Sequence, residues 1–92
     1  MGALNDAVLR SDYAGMKAAI ESGEDVNDMS SGMTPLFSAV FRGDLDAVRI
    51  LLNHGADPNL RSDSDMPPLW HAEDDFGLFD IAALLRSHGA TK

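Results

Sequence analysis

Residues 34–59 read TPLFSAVFRGDLDAVRILLNHGADPN, and the order of turn formers within them decides the fold. Thr34 sets a hydroxyl where it can accept from the first free amides of a helix, and Pro35 at the first helical position needs no amide partner. Leu36, Ala39 and Val40 then share one helical face. Gly43-Asp44 breaks that short helix and starts another. Leu45, Val48, Leu51 and Leu52 make the apolar stripe of the second helix. Gly55 follows His54 as a left-handed carboxyl-terminal cap, and Asp57-Pro58-Asn59 leads out into a turn-rich segment.

The same unit recurs on both sides. A later copy begins Pro67-Pro68-Leu69-Trp70-His71-Ala72 and ends Ile81-Ala82-Ala83-Leu84-Leu85-Arg86-Ser87-His88-Gly89-Ala90. An earlier, weaker copy runs from Leu4 through Ser11-Asp12-Tyr13 to Ile20-Glu21-Ser22-Gly23-Glu24-Asp25-Val26-Asn27. Gly23, Gly55 and Gly89 mark a period of about 33, with one residue deleted before Thr34 and one added between Ala72 and Gly77. The pattern predicts helices over about 3–10, 12–22, 35–42, 45–54, 68–75 and 79–88. Helices this short are marginal alone, so stacking on neighbours must stabilise them.

Thr34-Pro35-Leu36, Gly43-Asp44-Leu45 and Gly55-Ala56-Asp57-Pro58-Asn59 resemble the signature of the ankyrin repeat, and the resemblance spans nearly the whole chain in three copies. It implies an all-α ankyrin-repeat solenoid of three stacked helix–turn–helix repeats joined by projecting hairpin turns. The expected organisation is one domain over 1–92, with repeats at about 3–27, 28–59 and 60–92. The first copy begins near its first helix and the third closes soon after its last, so both are expected to be end caps. Three repeats are close to the minimum, with an expected stability of about 5–10 kcal/mol.

Departures from the family pattern single out particular residues. Phe37 and Trp70 stand where the family has the His of its Thr-Pro-Leu-His motif, so packing must replace that hydrogen bonding. Phe37 reads as core filling. Trp70 stays open between packing and binding, because its indole nitrogen prefers a partner or water. Pro67 replaces the capping Thr, which removes an acceptor worth roughly 0.5–2 kcal/mol. Asp65 replaces the usual turn Gly, where a positive φ is often required. The third repeat has either drifted as a terminal cap or been shaped by a partner.

Ankyrin proteins commonly bind through their hairpin tips and the concave surface of their first helices. Carried over by position, three columns cross that surface: Asp6–Ser38–His71, Leu9–Phe41–Asp74 and Arg10–Arg42–Asp75. The tips supply Met29, Ser30, Ser31 and Met33, then Asp63, Ser64 and Met66. The expected protein-binding set is Leu9, Met33, Ser38, Phe41, Arg42, Met66, Trp70, His71, Asp74 and Asp75. Leu9, Phe41 and the Met residues form its apolar centre, and Glu73, Asp74 and Asp75 its acidic edge. Leu78 and Phe79 open the last helix, where a second adhesive face is expected, with Asp80, Arg86 and His88 to solvate it.

Fifteen acidic against seven basic residues give a net charge of −8, spread along the whole chain. No basic patch is visible to displace counterions from nucleic acid, and an anionic membrane surface repels the same charge. A protein with a neutral or basic surface is the expected partner, although acids also simply keep a small protein soluble. No apolar run approaches the roughly 20 residues of a membrane span. Met1-Gly2 is not followed by a signal-peptide pattern, and Asp6 stands where myristoylation wants Ser or Thr. A cytoplasmic monomer is the expectation. The chain has no Cys, which excludes disulfides and Cys-based metal or nucleophile sites.

Enzymatic chemistry finds no purchase. His54 and His88 hold the same repeat position, so they should lie roughly 10 Å apart. That is too far for a shared zinc bound at about 2 Å per ligand. His71 beside Glu73 and Asp74 is the single acid–imidazole cluster in the sequence. Ser30-Ser31 and Ser62 lack a His and an acid at nucleophile spacing, and Gly serves as helix punctuation instead of a phosphate loop. The expected role is an adaptor or inhibitor that binds a folded protein, with no cofactor. The alternative is a structural subunit of a larger complex.

Overall fold

Three copies of one capping pattern produce three helix pairs. A computed structural model describes residues 3–29, 32–61, 67–75 and 77–91, the side chain of Asp75 excepted. Helix α1 (Ala3–Arg10) pairs with α2 (Tyr13–Glu21), and α3 (Pro35–Phe41) with α4 (Leu45–Asn53). Helix α5 (Pro68–Trp70) continues as a π-helical turn, His71–Asp75, and pairs with α6 (Phe79–Ser87). The bounds lie within about a residue of those expected from the caps, and the described residues contain no strand. Ser30, Ser31, Asp63, Ser64, Asp65 and Met66 lie outside the described residues.

Side-chain caps account for where the helices start. Thr34 Oγ1 accepts from the Phe37 amide at 3.1 Å, Asp12 Oδ1 from Gly15 at 3.0 Å and Asp44 Oδ1 from Ala47 at 3.1 Å. The third repeat differs, because neither Pro67 nor Leu78 supplies a capping side chain. The second helices all stop alike. Ala56 N–H reaches Leu51 O at 3.0 Å and Ala90 N–H reaches Leu85 O at 3.0 Å, across Gly55 (φ 93°) and Gly89 (φ 94°). Those left-handed turns suit glycine.

The residue inserted before Gly77 takes a definite form. It widens the last turns of the third repeat's first helix from α to π, and Leu78 N–H closes onto Ala72 O at 2.6 Å. Single π turns arise in this way, by one residue more than an α turn holds.

First helices pack on first helices and second on second: α1 on α3, α3 on α5, α2 on α4 and α4 on α6. Between the layers runs one continuous core in which Leu4, Val8, Met16, Leu36, Val40, Val48, Leu51, Leu69 and Leu85 are buried. Two asparagines tie the repeats at their turns. Asn27 Oδ1 accepts from Asp57 N–H at 2.8 Å and Asn59 Oδ1 accepts from Thr91 N–H at 2.8 Å.

Candidate protein-interaction face

Leu9-Arg10, Phe41-Arg42 and Asp74-Asp75 lie at the ends of the three first helices, which pack in series, α1 on α3 and α3 on α5. Around Phe41 lies a cluster of aromatic rings. Phe37 is buried at 1% exposure, which settles it as core. The His71 ring stands edge-on to Phe37 at 4.7 Å and to Trp70 at 5.0 Å, and tilted to Phe41 at 5.3 Å. Phe41 also packs on Phe37, with centroids 5.0 Å apart. Edge-on and tilted pairs at these distances are favourable beyond the area they bury.

Two expected site residues turn inward. Ser38 is 8% exposed and His71 6%, so a docking partner would meet neither. For His71 the reason is the ring cluster, which packs it against Phe37, Phe41 and Trp70. Their column presents only Asp6 to solvent. Trp70 is half-buried, its ring edge-on to His71. Met33 is half-buried too.

The outer two columns are open. Leu9 is 51% and Phe41 47% exposed, although Phe41 is held from behind by two rings. Arg10, Arg42 and Asp74 are exposed. The acidic edge is narrower than its sequence. Glu73 Oε2 accepts from Arg86 Nε at 2.9 Å and Nη2 at 2.6 Å, which consumes that charge within the repeat. The Asp75 side chain and Met66 lie outside what is described.

One constellation was missed at the sequence level. Asp44 receives the Ser11 hydroxyl at 2.8 Å and the Tyr13 hydroxyl at 2.8 Å, so a helix cap of one repeat clips the repeat before it. Burial pushes the Asp44 pKa up. The hydrogen bonds from Ser11, Ala47 and Tyr13, with the Arg42 charge, outweigh it and leave the carboxyl below its ordinary value. Tyr13 is raised, first by its hydrogen bond to Asp44 and then by burial. The sequence did carry a signal. Ser11 stands where the other repeats have Gly43 and Gly77, and like them it is left-handed (φ 55° against 65° and 67°).

Gly43, Leu45, Gly77, Leu78, Phe79, Asp80 and Ile81 line an open groove of about 350 Å³. Phe79 at its rim is 71% exposed. Among the described residues no group of three His, Cys, Asp or Glu could share a metal ion, and no helix is long and apolar enough to cross a membrane.

Helix pairs stacked repeat on repeat around one core define a repeat scaffold. A family profile of three ankyrin repeats matches residues 4–92, and the chain belongs to the ankyrin-repeat family. It is similar to the 2-5A-dependent ribonuclease of Mus musculus, 39% identical over 64 residues, which cover 67% of this chain and 9% of that protein. It is likewise similar to M-phase phosphoprotein 8 of Homo sapiens, 37% identical over 82 residues, or 86% of this chain and 10% of that one. The crystal structure of the ankyrin repeat domain of Bcl-3 superposes with a TM-score of 0.89 at 32% identity, covering 96% of this chain and 39% of that one. The chain thus spans about a tenth of these curated relatives' length. Ankyrin repeats as a class are protein–protein interaction modules, typically without enzymatic activity of their own.

Proposed function

We propose that this chain is an adaptor or inhibitor that binds a folded protein through the concave face, with Phe41 as its anchor. The observation behind this reading is that Phe41 is 47% exposed while Phe37 and His71 fix it from behind. An aromatic side chain that is already immobile loses little entropy on binding, and such residues dominate interface energetics. Leu9, Arg42, Trp70, Met33 and Asp74 surround it. In this reading the free protein is a cytoplasmic monomer, and neither nucleic acid nor membrane takes part, in keeping with a net charge of −8.

A second reading, a structural subunit of a larger complex, draws on Phe79, 71% exposed beside the groove between α4 and α6. Affinity capture from native lysate with wild-type, Phe41→Asp and Phe79→Asp baits separates the two. The expected result is a protein retained by wild type and Phe79→Asp but lost with Phe41→Asp, a drop of about 30-fold or more in affinity. Loss with Phe79→Asp alone would favour the assembly role. Retention by all three would move the interface off both faces.

A further inference from the structure

Val8, Val40 and Glu73 hold one position of the three first helices, and Ile20, Leu52 and Arg86 one position of the second helices. Both positions are apolar in the first two repeats and ionic in the third. Val8, Val40 and Leu52 are buried and Ile20 is half-buried, whereas Arg86 is exposed. Two further positions lose cover in the same way. Phe37 is buried but Trp70 half-buried, and Leu45 is half-buried but Phe79 71% exposed.

The packing says which way these positions face. The middle repeat packs on both others, α3 on α1 and α5, and α4 on α2 and α6. Among the described residues the third repeat packs on the second. Positions closed in the middle repeat and opened in the third are therefore those that a following repeat covers. In the third repeat they form an outer face of Trp70, Glu73, Phe79 and Arg86. Its two charges meet there: Glu73 Oε2 accepts from Arg86 Nε at 2.9 Å and Nη2 at 2.6 Å. The Arg86 side chain is 55% exposed, so water still reaches the pair. Covering it with an apolar surface strips that water, and the mutual attraction does not repay the loss. A surface of the kind that buries Val40 and Leu52 thus has no fit here.

We propose that the Glu73–Arg86 pair is a stop, which keeps the outer face of the third repeat, Phe79 included, from packing against a second copy of this chain. This rests on the reading of the free protein as a monomer and names what enforces it. Repulsion between two chains of net charge −8 is the rival cause. The two causes are separable, because the pair itself adds nothing to the net charge.

The test is sedimentation equilibrium of full-length wild type and three variants over a range of protein concentration, each first checked for helical circular dichroism. Glu73→Val with Arg86→Leu supplies the residues of the middle repeat, and Glu73→Arg with Arg86→Glu exchanges the charges. Both keep the net charge at −8. The third variant adds Phe79→Asp to the apolar pair. Wild type and the exchanged pair are expected to remain single chains, while the apolar pair self-associates at least about 10-fold more tightly. Adding Phe79→Asp should return it to single chains. An apolar pair that stays monomeric, or an exchanged pair that associates as strongly, would overturn the stop and leave the monomer reading standing. Association that survives Phe79→Asp would overturn it too, since the copies then meet elsewhere. Self-association of wild type would sink the monomer reading and the stop together. Should the apolar pair lose its helical signal, Arg86→Leu alone carries the same comparison.

Discussion

Asp44 serves two repeats at once, capping α4 and receiving hydroxyls from Ser11 and Tyr13. Its pKa is depressed, so its stabilisation is fully present above the unfolded value of about 4 and is lost as pH falls through the folded one. Tyr13 is raised, so its donated proton persists through neutral pH and is lost only above about 10. The clip therefore holds between those limits. Urea midpoints of wild type and Asp44→Asn should differ at pH 7 and draw together as pH falls below the ordinary carboxyl value of about 4; a gap that stays constant would remove the carboxylate from this role. Ser11 supplies the second prediction. Ser11→Ala loses the hydrogen bond and keeps the left-handed strain, whereas Ser11→Gly loses the bond and relieves it. Denaturant unfolding should rank the variants wild type, Gly, Ala, with about 1 kcal/mol between the last two.

Among the elements, the second repeat has both helices capped by side chains and the third has neither. Thr34→Ala should cost about 1–2 kcal/mol in chemical denaturation, since it leaves the Phe37 amide short of a partner. Amides of α6 should also exchange faster with solvent deuterium than those of α4; equal protection would show that capping does not set local stability here. Helix bounds were legible in the sequence because Thr34, Pro35, Asp44 and Gly55 each have one local conformation to prefer. The π turn was legible only as an extra residue, since an insertion can loop out or be absorbed, and that choice depends on packing around Ala72 and Leu78. The inward turn of His71 and Ser38 was illegible for a related reason. A period of 33 assigns positions to a face, but ring–ring contacts with Phe37 and Trp70 decide how far each side chain tilts.

The structure spans 33 × 23 × 21 Å, and the main helix contacts among the described residues run within repeats or between adjacent ones. The middle repeat packs on both others, so damage there reaches the entire stack. Leu51 is fully buried, and Leu51→Ala should cost about 2–5 kcal/mol against a total of about 5–10. Thermal unfolding should then shift as one transition, with much of the chain unfolded at 37 °C. Two separated transitions would mean that the repeats melt independently. The proposed binding face belongs to this scale as well, because Leu9, Phe41 and Asp74 come from three repeats. Single residues were readable as candidates from the sequence, while which of them stay exposed depended on the stack.

The shared carboxylate of Asp44 also bears on kinetics. Capping α4 and docking Tyr13 share Asp44 Oδ1, so the two events are expected to be coupled in time. Folding is then expected to start at the boundary of the first two repeats and to reach last the third, whose helices lack side-chain caps, an order that φ-values at Asp44 and in α6 would check.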